Sequence, residues 1–153
     1  MKVSSVVMPG KTFQVLRDGA TCTVEFFDNV ESAPMIDGMT GQSAPSWDYE
    51  RYTLTMPYQP NLAAEIEADF PTWLQKAKDA ETAAEEQKVR DYRDDLLNTC
   101  DTVYYNAERW AVMTDEQRQA WAAYKQALRD VPTQAGFPYS VSWPAMPAEG
   151  GTT

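Results

Sequence analysis

The stretch Tyr49-Glu50-Arg51-Tyr52-Thr53-Leu54-Thr55-Met56-Pro57-Tyr58-Gln59-Pro60-Asn61-Leu62-Ala63-Ala64-Glu65-Ile66 holds the point where the chain changes its hydrophobic period. Over residues 49–56, Tyr52, Leu54 and Met56 recur at every second position, which places them on one face of a strand. Pro57 and Pro60 end that strand, because proline fixes φ and brings no N–H to a ladder. Asn61 suits a helix N-cap, and Leu62, Ile66, Trp73 and Leu74 follow near helical spacing. Pro71 predicts a break around Asp69-Phe70. The fold class read from this switch is α+β, with a β-rich N-terminal part, a long polar helix and a C-terminal helical hairpin with an extended Pro/Trp tail.

Upstream of the switch, residues 12–16 and 21–27 are rich in β-branched and aromatic side chains, and Asp18-Gly19 between them signals a hairpin. Cys22, Val24 and Phe26 share one strand face, and Phe27 points to the other. Residues 29–46, with Pro34, Gly38, Gly41 and Pro45, read as a long loop, a length usually associated with function or mobility. Downstream, residues 76–90 are almost all Lys, Glu, Asp, Gln and Ala, a helix with a solvated surface that bridges two packed regions. Apolar spacing returns with Val89, Tyr92, Leu96 and Leu97. Thr114 and Gln117 then form a capping box ahead of Trp121, Tyr124, Leu128 and Val131. Pro132 stops that helix near Asp130. The expected organisation is a β-rich part at 1–60, a helical linker at 61–89, a helical module at 90–147 and a disordered tail at 148–153.

The 153 residues carry 13 Lys plus Arg against 23 Asp plus Glu, a net charge of −10 that argues against nucleic acid and against an anionic membrane surface. The chain has no histidine, so the commonest general base and metal ligand are missing, and no Ser-His-Asp or Cys-His pairing exists. Its two cysteines, Cys22 and Cys100, form no Cys-x-x-Cys motif and read as reduced thiols. The glycines form no phosphate-binding loop. Asp91, Asp94 and Asp95 lie among Arg90 and Arg93, the pattern of a solvated, mutually screened face. The apolar run at residues 6–8 is too short for a signal peptide, and no window has the length of a membrane span. The expectation is a protein without enzymatic activity, cofactor or metal, neither secreted nor inserted in a membrane.

Aromatic residues crowd the C-terminal part: Tyr104, Tyr105, Trp110, Trp121, Tyr124, Phe137, Tyr139 and Trp143. Two readings stand side by side. Trp121, Leu128 and Leu97 form a small helical core under a Trp-rich lid, or the aromatics of the extended tail act as anchors for a partner. A bulky aromatic beside a proline is a stiff anchor that loses little entropy on docking.

An ordered set of short motifs runs through this part: Arg93-x-x-Leu96-Leu97-x-x-Cys100-Asp101, Met113-Thr114, Gln119-Ala120-Trp121-x-x-Tyr124-Lys125-Gln126-Ala127-Leu128-Arg129-Asp130-Val131-Pro132-x-Gln134-x-Gly136-Phe137-Pro138, and Trp143-Pro144-x-x-Pro147. The set resembles the phage tail assembly chaperone and tail fibre assembly proteins, over about residues 90–147. Thr102 follows Asp101 where the family usually has Trp, and Lys125 stands where it usually has Arg, which keeps the charge but not the planar fork. The resemblance implies a non-enzymatic helper in the host cytoplasm that binds a tail fibre or other tail protein and assists its folding or attachment. Unassembled fibre chains expose strand edges that aggregate unless covered. The partner surface expected from it comprises Trp121, Tyr124, Phe137, Pro138, Trp143 and Pro144. The alternative is a structural component of the tail, fibre or baseplate that carries the same module as a docking element and is retained in the virion.

Overall fold

The computed structural model describes residues 1–36, 38–104 and 106–147. The tail at 148–153, expected to be disordered, and Tyr105 lie outside the described residues. The chain divides into two compact units, Met1–Glu81 and Thr82–Thr153.

The first unit is an antiparallel sheet with helix packed on one face. Strands β1 (Lys2–Ser5), β2 (Phe13–Asp18), β3 (Thr21–Ser32) and β6 (Trp47–Pro57) lie in the order β1-β6-β3-β2. Asp18 pairs with Thr21 across a two-residue turn, and Gly19 at its first central position has φ 61, a region glycine enters without a Cβ clash. In the β3–β6 register Cys22 faces Met56, Val24 faces Leu54 and Phe26 faces Tyr52, so the two alternations read from the sequence fall on the same face. That face is closed by α1 (Leu62–Ala68) and the first turns of α2 (Phe70–Thr99). Phe13, Cys22, Val24, Phe26, Leu62, Ile66 and Ala77 are buried, with Phe70, Trp73 and Leu74 packed against them. Full burial of Phe26 contributes roughly 1.5–3 kcal/mol.

Several local readings change here. Residues 29–46 are more ordered than a loop. β3 runs on to Ser32 through a bulge between Asp28 and Glu31, where Asn29 takes φ 52. Asparagine tolerates that left-handed conformation better than most residues. Beyond it, β4 (Met35–Ile36) and β5 (Ser43–Ala44) pair as a small hairpin of their own. Asn61 sits at the start of α1 but its side chain makes no capping bond, because its backbone (φ −92, ψ 1) already turns with the chain, and its carbonyl accepts from the Glu65 N–H. The break before Pro71 is present. α1 ends at Ala68, and Pro71 lies in the first turn of α2, where its missing N–H costs nothing. The polar helix is not solvated from its start, since Ala77 is fully buried against the sheet.

In the second unit the rest of α2 leads into a π-helical turn (Cys100–Tyr104), a short helix α3 (Ala107–Val112), α4 (Asp115–Asp130) and a 3-10 turn (Val131–Thr133). The capping box is present in full. The Thr114 N–H donates to Gln117 Oε1 at 2.8 Å, and the Gln117 N–H donates to Thr114 Oγ1 at 3.3 Å. Glu116, in the same first turn, is held below the usual carboxylate range by its own backbone N–H and the Thr114 hydroxyl. α4 ends at Asp130, where Pro132 in the following turn denies it a further backbone donor.

Candidate functional site

The C-terminal unit gathers the aromatic residues into one packed cluster. Cys100, Trp121, Tyr124 and Leu128 are buried, with Leu96, Leu97, Tyr104, Met113 and Trp143 packed against them. Trp121 stacks on Tyr104 with ring centroids 4.2 Å apart, and meets Tyr124 edge-on at 5.9 Å. Burial raises the Cys100 thiol pKa, against the opposing pull of the Lys125 ammonium, and burial likewise raises Tyr124. Both groups therefore stay neutral at ordinary pH. Lys125 pairs with Asp101, so two residues of the quoted motif set tie α4 to the π-helical turn. Arg118 reaches the Trp110 carbonyl, with Nη2 at 3.0 Å, and fixes α3 against α4.

The extended tail is held by side chains. Gln134 brackets Ser142, donating from Nε2 to its carbonyl at 2.8 Å and accepting its N–H at Oε1 at 2.8 Å. The Ser140 N–H donates to the Gly136 carbonyl at 2.6 Å, and a Cβ on Gly136 would stand 2.1 Å from the Ser140 carbonyl oxygen, so this turn excludes a larger residue. Trp143 meets Tyr92 edge-on at 4.8 Å, the Arg90 guanidinium lies 5.2 Å from the centre of the Phe137 ring, and the Tyr139 hydroxyl bonds Thr82 at 2.9 Å. The tail thus lies along the part of α2 that belongs to this unit.

The six residues expected to meet a partner separate into two groups. Trp121 and Tyr124 are core residues, 2% and 6% exposed, because α4 turns its apolar face inward. Phe137, Pro138, Trp143 and Pro144 are half-buried and together form a stretch of tail surface. Gln134, Gly136 and Arg118 were not among the expected residues. A glycine directly before a Phe-Pro pair is a turn signal, but the Gln134 and Arg118 contacts leave no local trace in the sequence. Among the described residues no group of three or more Cys, Asp or Glu gathers as metal ligands, and no helix is long and apolar enough to cross a membrane.

Residues 86–148 match the family model described as phage tail assembly chaperone protein. The C-terminal segment of this chain is thus similar to phage tail assembly chaperone proteins. The matched range covers the later turns of α2, the π-helical turn, α3, α4 and the tail, the same elements that build the Cys100–Trp121–Leu128 core. No curated protein and no solved structure matches the chain. The match supports a role in phage tail assembly, and a chaperone family suggests a role without catalysis. Within it, Arg93 of the Arg-x-x-Leu-Leu motif bonds the adjacent Asp94, and Leu96 and Leu97 pack on the core. The sheet unit, residues 1–81, lies outside the match.

Proposed function

We propose that the protein is a non-enzymatic phage tail assembly chaperone that binds a tail fibre or other tail protein in the host cytoplasm and assists its folding or attachment. The observation that carries this reading is the coincidence of the chaperone-family match with one compact unit. The net charge of −10 keeps such a protein soluble beside sticky, unassembled chains. The partner surface in this reading is the tail segment with Phe137, Pro138, Trp143 and Pro144, of which Trp143 packs against the core that holds buried Trp121 and Tyr124. Binding alone suffices for the task, since a covered strand edge no longer pairs with its neighbours.

Co-expression tests it. Each tail protein encoded by the same phage is produced alone and together with this chain. The expected result is that one of them, a fibre above all, becomes soluble and oligomeric only in the chain's presence. Phe137→Ala with Trp143→Ala is expected to abolish that effect while the helical circular dichroism persists. If these changes unfold the module, Pro144→Ser serves as the milder probe of the same surface. Soluble yields that ignore the chain for every tail protein would refute the reading.

A further inference from the structure

Two segments leave the sheet of the first unit at the same end. β1 ends at Ser5, whose carbonyl accepts from Ser46 Oγ at 3.2 Å, and the Ala33 N–H donates to the Ser46 carbonyl at 2.8 Å. Beyond Ser5 come Val6, Val7 and Met8, and beyond Ala33 comes the β4–β5 hairpin with Met35, Ile36 and the Met39 turn. All six side chains are exposed, Val7 at 70%, Ile36 at 73% and Met39 at 97%. Large apolar groups gathered at one end of a sheet mark an interaction surface more often than an accident of composition. Methionine side chains suit the purpose because they repack around varied shapes.

Next to this apolar end the sheet carries an excess of negative charge. Glu31 and Asp48 are direct cross-strand partners in the β3–β6 register. Like charges in that position repel and destabilise a sheet. Asp48 is bonded by the neutral Ser4 hydroxyl at 2.7 Å, and among the described residues neither carboxylate forms an ion pair. Both line an open cleft of about 350 Å³ together with Glu50 and a single cation, Lys2.

We propose that this end of the sheet docks an apolar segment of a phage tail protein flanked by lysine or arginine, with a cation of that segment seated between Glu31 and Asp48. The identity of the partner as a tail protein rests on the function proposed above; the chemistry of the contact rests on the charge and apolar pattern here. Charge complementarity selects this occupant. A second copy docked through the same face would bring carboxylate to carboxylate, and an anionic membrane would meet the same repulsion. The seat also accounts for the Glu31–Asp48 pair, since a partner cation converts their repulsion into two charge-assisted contacts.

The experiment measures binding of the full chain to each separately purified tail protein of the same phage, for the wild type, for Glu31→Gln with Asp48→Asn, and for Met35→Ser with Ile36→Ser and Met39→Ser. The expected result is one tail protein whose affinity falls about tenfold or more in either variant. Wild-type affinity should also weaken several-fold as salt rises from about 0.05 to about 0.5 M. The charge variant is expected to melt at the same or a higher temperature than wild type, because it relieves repulsion in the free chain. Binding that is unchanged in both variants overturns this inference and leaves the chaperone function standing. Absence of binding to every tail protein overturns both. Self-association, or binding to phosphatidylglycerol vesicles, that disappears in the methionine variant assigns the surface another occupant and overturns the inference as well.

Discussion

The sheet unit and the C-terminal module each bury a cysteine among aromatic and aliphatic side chains, Cys22 with Phe13 and Phe26, Cys100 with Trp121 and Tyr124. They hold their chains by different means. In the sheet unit the backbone does the holding: ten pairs of residues stand opposite each other between β3 and β6. In the module, several ties between segments rest on single side chains, with Gln134 on Ser142, Lys125 on Asp101 and Arg118 on the Trp110 carbonyl. Both leave apolar groups in solvent, Val7 and Ile36 in the sheet unit and Val112 in the module, and each draws a large aromatic inside, Phe26 in the first and Trp121 in the second. A backbone-bonded sheet tolerates the loss of one surface side chain, while a segment pinned by one residue does not.

The comparison is broken most severely at the two cores. Trp121→Ala and Phe26→Ala should each cost about 3–5 kcal/mol, read as a fall in denaturant midpoint. An unchanged midpoint for Trp121→Ala would place that ring at the surface and undo the account of the module. Gly136→Ala should cost about 1–3 kcal/mol, since the new Cβ forces the turn at Ser140 to open. Alanine at Gly10, which has open space around it, should be close to neutral by the same measurement. Thr114→Ala removes half of the capping box and should cost about 1 kcal/mol in thermal or chemical melts.

The smallest effect sharpens the sheet side. Burial first, and then the hydrogen bond to the Glu50 carboxylate, push Tyr52 from 10.0 up to about 12. The folded protein therefore keeps this proton where the unfolded chain has lost it. That contribution to stability is complete below pH 10.0 and is lost as pH rises toward about 12. Tyr52→Phe should flatten part of this alkaline decline in a pH series of melts. An identical slope in both proteins would show that Tyr52 titrates as it does in the unfolded chain.

The features legible in the sequence are those set by local periodicity. The alternation of Cys22, Val24 and Phe26, the matching alternation of Tyr52, Leu54 and Met56, and the run from the Thr114 cap to Leu128 all appear where their spacing puts them. β1 escaped because Lys2-Val3-Ser4-Ser5 is too short and too polar to carry a pattern. The extension of β3 escaped because Asn29 and the prolines and glycines beyond it look like loop, although the bulge absorbs Asn29 and pairing resumes at Glu31. The π-helical turn and α3 carry no period of their own. The motif set located the tail, but the seat of Trp143 on Tyr92 joins residues far apart in sequence, which no local spacing encodes. By contrast, the spacing of Trp121 and Leu128 on α4 already pointed to a helical core, and both are buried there with Leu97 packed against them.

The claim that this chain acts during tail assembly is tested most directly by deleting its gene from the phage and imaging the lysate by electron microscopy, with a plasmid copy as the control. The account predicts particles that lack complete tails or fibres, restored by the plasmid, and purified wild-type virions free of stoichiometric amounts of the chain. Complete, infectious tails in its absence would contradict it. Stoichiometric retention in the virion would instead make it a structural tail component.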